Sequence, residues 1–183
     1  INLFNMNSPI ILLGYMGCGK TKIGKCLSKD LNLKFVDLDH EIESIYSKSI
    51  THLFEDFGEV RFREIERELL IKLLNKNDVF VLSLGGGTPC YFDNMEIIQK
   101  NTNYSFYINL NSKVLAERLY IRKSSRPLIS SIESEQEMLN FINKHLFERN
   151  PFYLKAKHII YCDDMNAKKT SKSILEILEK NSF

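Results

Sequence analysis

The stretch Gly14-Tyr15-Met16-Gly17-Cys18-Gly19-Lys20-Thr21 constrains this chain more than any other. It follows Pro9-Ile10-Ile11-Leu12-Leu13, a short apolar run with β-branched residues that reads as a strand buried on both faces. It precedes Lys22 to Lys29, where Ile23, Cys26 and Leu27 fall at the i, i+3, i+4 spacing of a helix face. Strand, glycine turn and helix together make G-x-x-x-x-G-K-T an expected phosphate site. Glycines let the backbone curl around an oxyanion with several N–H groups pointing inward. The helix that follows adds unpaired N–H groups and the positive end of its dipole. In such a loop Lys20 reaches the β and γ phosphates and the Thr21 hydroxyl coordinates Mg²⁺. A glycine turn with a chance Lys-Thr is the alternative, and it leaves the flanking pattern unexplained.

The rest of the chain repeats this alternation. Leu33 to Asp37 reads as a second strand, and Ile42, Ile45 and Tyr46 mark a helix. Ser49 is a candidate helix cap, with Ile50, Leu53, Phe54 and Phe57 on one apolar face and Gly58 at the stop. A longer helix from Glu59 to Leu74 turns Phe62, Ile65, Leu69 and Leu73 inward. Strands follow at 79–84, 104–110 and 158–162, with helices near 95–98, at 112–121, ending near Phe147, and around Ile174 to Leu178. Strands alternating with helices predict βαβ units, a parallel sheet and helices on both faces. Ligands of such sheets sit at the C-terminal strand ends. The phosphate loop, Asp37 with Asp39, and Gly85-Gly86-Gly87 all follow predicted strands, so they are expected to line one edge.

Each of these stretches has a chemical reading. If the backbone stays extended, Asp37 and Asp39 point the same way, one to hold a metal through water and one to accept a hydroxyl proton. Turn and helix-cap chemistry is the plainer alternative. Arg63 sits in a charged helix where i, i+4 pairs such as Glu59 with Arg63 contribute only about 0.2–0.5 kcal/mol each. Phe62 and Ile65 flank it, and a guanidinium at an apolar border can fork onto a carboxylate or phosphate. Three consecutive glycines make sense where backbone must approach a ligand closely, or as a flexible turn. Arg118, Arg122, Lys123 and Arg126 surround Ser124 and Ser125, a composition that fits a mobile cationic flap closing over phosphates or a solvated basic loop. Arg149 is expected to end a helix, where its charge suits the dipole.

Length and charge narrow the class. The 183 residues suit one domain spanning 1–183, with 44% hydrophobic and 26% charged residues as in an ordinary globular chain. A formal net charge of +2 argues against nucleic-acid or membrane-surface partners. No apolar run is long enough to span a bilayer, and Ile1 to Asn5 lacks signal-peptide character, so a cytosolic location is expected. Cys18, Cys26, Cys90 and Cys162 show no metal or redox spacing, and Cys18 reads as a small tolerated residue.

Taken together, these residues resemble the shikimate kinase family from Ile10 to about Asp163. The likeness is carried, in order, by the Gly14 to Thr21 loop, Phe35-x-Asp37-x-Asp39, and the series from Ser49 through Gly58-Glu59 and Phe62-Arg63 to Glu66. The triple glycine, Arg126-Pro127-Leu128, and Glu148-Arg149 with Tyr153 complete it. The resemblance implies a three-layer P-loop fold of the nucleoside-monophosphate-kinase type and transfer of the γ-phosphoryl of ATP to the 3-hydroxyl of shikimate. It implies that Gly17, Cys18, Gly19, Lys20, Thr21 and Lys22 hold the phosphates, with Thr21 and Asp37 at one Mg²⁺. Asp39, Arg63, Gly86 and Arg149 would hold shikimate, with Asp39 the base. Lys20 and Arg126 would act on the transferring group, Arg118 would flank the adenine and Asn166 would contact it. The substrate region would span about 37–66 and the lid about 118–135, in a monomer. The glycine commonly found just before Ser49-Ile50 is absent, its place taken by Ser47 or Lys48, which leaves the form of the local turn open and not the chemistry. A related small-molecule kinase such as a gluconate kinase shares the loop and sheet. A non-catalytic nucleotide-binding regulator would predict a damaged site, which Lys20, Asp39, Arg63, Arg126 and Arg149 contradict.

Overall fold

A computed structural model describes residues 6–76, 78–123, 126–163 and 165–180. The expected start at Ile1 to Asn5, and Ser124 and Ser125 of the flap, lie outside the described residues.

The phosphate-loop strand is the middle of the sheet. β1 (Ile10–Leu13), β2 (Lys34–Asp37), β3 (Phe80–Ser83), β4 (Ser105–Asn109) and β5 (His158–Tyr161) form one five-stranded sheet in the order β2-β3-β1-β4-β5. All four pairings are parallel. Every residue of β1 has zero exposure, as an apolar strand covered on both faces requires. Among the described residues seven α-helices flank the sheet: α1 (Lys20–Leu31), α2 (Leu38–Tyr46), α3 (Ile50–Leu74), α4 (Asn94–Asn101), α5 (Ser112–Ile121), α6 (Glu135–Tyr153) and α7 (Ala167–Lys180). α1 packs on α7, α5 on α6 and α2 on α3.

Register places the chemistry. Ser83 pairs with Leu12 of β1 and with Asp37 of β2, so the C-terminal ends of three adjacent strands are level. The phosphate loop, the acidic pair and the triple glycine leave from that edge.

Two local expectations are corrected. The backbone does not stay extended through Asp39: Asp37 is the residue before α2 (φ −109°, ψ 119°), and Asp39 lies in the first helical turn. α6 does not stop near Phe147 but continues past Pro151 to Tyr153. The missing proline N–H deprives only the carbonyl of Phe147, whose side chain is 84% exposed, so water can supply the lost bond. Within the expected flap, Ile129 has zero exposure. Lys123 Nζ and Tyr120 Oη also donate to the carbonyls of Ile132 and Glu133.

Two punctuation marks work as expected, and a third is supplied by a residue other than glycine. Gly58 breaks α3 with φ 73° and ψ 170°, and Ser49 Oγ accepts from His52 N to cap its start. Where the family's glycine is missing, Ser47 itself takes the left-handed conformation (φ 51°, ψ 34°). Phe62, Ile65, Leu69 and Leu73 are buried as predicted, while Phe57 is 43% exposed and packs edge-on against Tyr46.

Candidate active site

Gly19, the residue before α1, adopts φ 103°, a conformation that an L side chain resists, and it turns the loop onto the helix start. Lys20 follows as the first helical residue and is buried. Its ammonium donates to the carbonyls of Gly14 (2.7 Å) and Tyr15 (3.2 Å), with Cys18 Sγ at 3.9 Å. Two of three donors thus brace the loop, and the third meets only a weak sulfur acceptor, which a phosphate oxygen would outcompete. Thr21 Oγ1 donates to Asp37 Oδ2 at 2.8 Å. A hydroxyl and a carboxylate together at the loop mouth are oxygen donors of the kind Mg²⁺ prefers, so this pair fits the expected ion.

A cavity of about 550 Å³ opens here. Gly17, Cys18, Gly19, Lys20, Thr21 and Lys22 line it from the loop, and Asp37, Asp39 and Gly86 from the neighbouring strand ends. Arg118 of α5, Arg126 of the flap and Asn166 before α7 close the far side. Asn166 Oδ1 accepts from Lys169 N and so caps α7, leaving its amide N–H groups as what it can offer a ligand.

Asp39 is the carboxylate beside Lys20 in this cavity. Burial, then the carboxylates of Glu66 and Asp37, raise its pKa to about 6, while Lys20 and Arg63 pull it back. A carboxylate poised there is ionised at neutral pH yet basic enough to take a proton.

Arg63 and Arg149 do not line this cavity; they stand against the triple glycine, of which Gly86 does line it. A Cβ on Gly85 would lie 2.6 Å from Asp39 Oδ1 and 2.8 Å from Glu66 Oε1. One on Gly86 would lie 3.2 Å from Met16 N and 3.8 Å from Arg149 Nη1. One on Gly87 would lie 2.8–2.9 Å from three atoms of the Arg63 guanidinium, over its face. The run is glycine because two carboxylates, the loop backbone and the Arg63 guanidinium press on it.

Arg63 is buried and held on several sides. Its Nη1 donates to Glu66, which is 1% exposed and also accepts from Thr88 Oγ1 at 2.6 Å. Its Nη2 reaches Glu59 Oε1 at 3.4 Å, and its Nε is buried without a hydrogen-bond partner. The pair with Glu59 read from the sequence is therefore present but loose, and the strong partner is Glu66. Glu66 lies three residues on, a helical spacing that could have revealed it.

Arg149 owes its place to the longer α6. His145, Arg149 and Tyr153 recur every four residues on one helix face. His145 Nδ1 and Tyr15 Oη share a hydrogen bond of 3.0 Å, and burial holds the His145 pKa below the ordinary value. Arg149 lies over the Tyr15 ring at 5.5 Å. Tyr153 has zero exposure and donates to the Gly86 carbonyl at 2.5 Å. Burial raises its hydroxyl well above the usual range, so it stays a donor. Arg149 thus belongs to a working face, not merely to a helix end. Tyr153 entered the sequence reading only as part of a motif, because a prolonged helix beyond Pro151 was not expected.

The family model described as Shikimate kinase matches residues 16–180. The chain belongs to the shikimate kinase family. The shikimate kinase of Flavobacterium psychrophilum is 43% identical over 174 residues, covering 95% of this chain and 98% of that protein. Among solved structures, the shikimate kinase of Bacteroides thetaiotaomicron superposes with a TM-score of 0.81 at 35% identity, covering 95% of this chain and 97% of that one. The shikimate kinase from Acinetobacter baumannii in complex with shikimate gives 0.84 at 31%, covering 97% and 96%. A gluconokinase from Sinorhizobium meliloti, at 13% identity and 0.57, shares the fold alone. Members of the shikimate kinase family are P-loop proteins, and the five-stranded parallel sheet with its flanking helices fits that fold.

Proposed function

We propose that this chain is a shikimate kinase that transfers the γ-phosphoryl group of ATP to the 3-hydroxyl of shikimate, a step of aromatic amino-acid biosynthesis. One observation carries the reading: a carboxylate with its pKa near 6 shares the triple-glycine wall with two arginines, beside a phosphate-loop lysine. A carboxylate suits a hydroxyl, and guanidinium groups suit a carboxylate, so a small polyhydroxylated acid satisfies both. A nucleoside monophosphate would leave the acid without work.

The residues divide the task. The loop from Gly17 to Lys22 binds the nucleotide phosphates, with Arg118 and Asn166 at the base. Thr21 and Asp37 would hold Mg²⁺, which when bound supplies charge neutralisation to the phosphates. Arg63 and Arg149 bind the acceptor carboxylate, and Tyr153 fixes Gly86 against it. Asp39 orients the 3-hydroxyl. As its oxygen bonds to the γ-phosphorus and the bond to the ADP oxygen breaks, Asp39 takes the hydroxyl proton. Lys20 and Arg126 balance the charge spread over the transferring oxygens. Arg126 comes from a region tied at Ile129, which supports water exclusion by a small movement of an anchored lid. Every group named comes from a single chain, so a monomer suffices. Use of ATP makes the cytoplasm the fitting compartment.

Release of ADP measured with shikimate, gluconate or a nucleoside monophosphate as acceptor tests the reading. Shikimate-dependent turnover with little response to the others is expected; equal turnover with gluconate would overturn it, and no acceptor-dependent turnover would point to a non-catalytic nucleotide binder.

A further inference from the structure

An acceptor-binding arginine works best when its orientation is set before the acceptor arrives, because the cost of ordering a long side chain is then met in folding rather than in binding. One side chain given no role above is built around Arg63. Tyr91 follows the 3-10 turn at Thr88–Cys90, into which the triple glycine runs. Its ring centre lies 4.4 Å from the Arg63 guanidinium carbon, nearer than those of Phe62 at 5.3 Å and Phe54 at 5.4 Å.

The Tyr91 hydroxyl makes a second, indirect connection. It donates to Glu59 Oε1 at 2.7 Å, the oxygen that Arg63 Nη2 reaches at 3.4 Å. That bond is also the main reason the Glu59 carboxyl titrates below its ordinary value. Glu59 directly follows Gly58, where α3 changes direction, so a hold on Glu59 is a hold on the start of the segment that carries Arg63. With the phenol engaging Glu59 closely, its pair with Arg63 stays long, and Glu66 is the tight carboxylate partner. Guanidinium donors not taken up by Glu66 therefore remain for an incoming carboxylate.

We propose that Tyr91 is a positioning residue for the acceptor site: its ring and, through Glu59, its hydroxyl hold Arg63 in the pose that meets the acceptor carboxylate. The proposal rests on the reading of Arg63 as the partner of that carboxylate.

The test compares Tyr91→Phe, Tyr91→Leu and Arg63→Ala in the full chain, with shikimate and ATP each varied and a melting temperature recorded for every variant. Tyr91→Phe keeps the ring and is expected to raise the shikimate KM about two- to threefold, and Tyr91→Leu about five- to tenfold. The KM for ATP is expected to stay unchanged, and kcat to fall less than about twofold. A Glu59→Ala background is expected to erase the effect of Tyr91→Phe, since the hydroxyl acts through Glu59. An unchanged shikimate KM in both Tyr91 variants, with Arg63→Ala impaired, overturns the proposal alone, as does an equal rise in the ATP KM. An unchanged shikimate KM in Arg63→Ala overturns the acceptor reading and the proposal with it. Tyr91→Phe, which removes one oxygen, carries the test if Tyr91→Leu does not fold.

Discussion

Lys20 has two of its ammonium donors on the carbonyls of Gly14 and Tyr15, so it braces the phosphate loop, and in the proposed mechanism it also balances charge on the transferring group. Lys20→Ala is expected to lower kcat by about a hundredfold or more, measured as shikimate-dependent ADP release. Near-normal turnover would remove Lys20 from charge neutralisation. Asp39 makes a prediction with a sign to work out. Its folded-state pKa is raised from 3.8 to about 6, so the folded protein holds the proton more tightly than the unfolded chain. The resulting stabilisation is present below pH 3.8 and is lost as pH rises through about 6. Asp39→Asn is therefore expected to melt higher than the parent at pH 8, with the difference gone near pH 4. The same variant loses the base, so kcat drops while stability rises, a conflict common at functional sites. For the parent, kcat/KM for shikimate is expected to fall as pH drops below about 6, the pKa of Asp39. A flat profile down to pH 5 would exclude Asp39 as the base.

At the scale of elements, the turn before α3 and the run after β3 show how much a single Cβ decides. Ser47 holds φ 51° where glycine is commonly found. Ser47→Gly is expected to stabilise the fold by about 0.5–1 kcal/mol, a rise in Tm of about 1–4 °C in a thermal melt. The triple glycine behaves in the opposite way. At Gly87 φ is −89°, which any residue tolerates, so the requirement there is space rather than backbone freedom. Gly87→Ala would set a methyl 2.8 Å from Arg63 Nη1 and Nη2. The guanidinium must then turn away, and the shikimate KM is expected to rise about tenfold or more with the ATP KM intact. Equal effects on both substrates would mean that the change had spread into the phosphate loop through Gly86 and Met16.

At the scale of the whole molecule, one cavity joins the ends of three adjacent strands to a lid contributed from beyond β4. Arg126→Ala is expected to reduce kcat about tenfold to a hundredfold with little change in shikimate binding, read from turnover and from fluorescence or calorimetric titration of shikimate. Weakened shikimate binding instead would move Arg126 from the phosphates to the acceptor. The order of strands and helices, the phosphate loop and the glycine stops were legible in residue pattern alone, because hydrophobic period, glycine and caps act over a few neighbours. Asp39 and the lid residues could be named for the same reason, since each follows a readable strand or helix end. What no local pattern held was which groups meet. Glu66 displacing Glu59 as the close partner of Arg63, Tyr153 reaching Gly86 across 67 positions, and the near-neutral pKa of Asp39 all depend on burial and on charges from separate segments. Sequence by itself settled the kind of site and its edge of the sheet; only packing in three dimensions decided the partners, because desolvation and Coulomb forces act between atoms that the chain order keeps far apart.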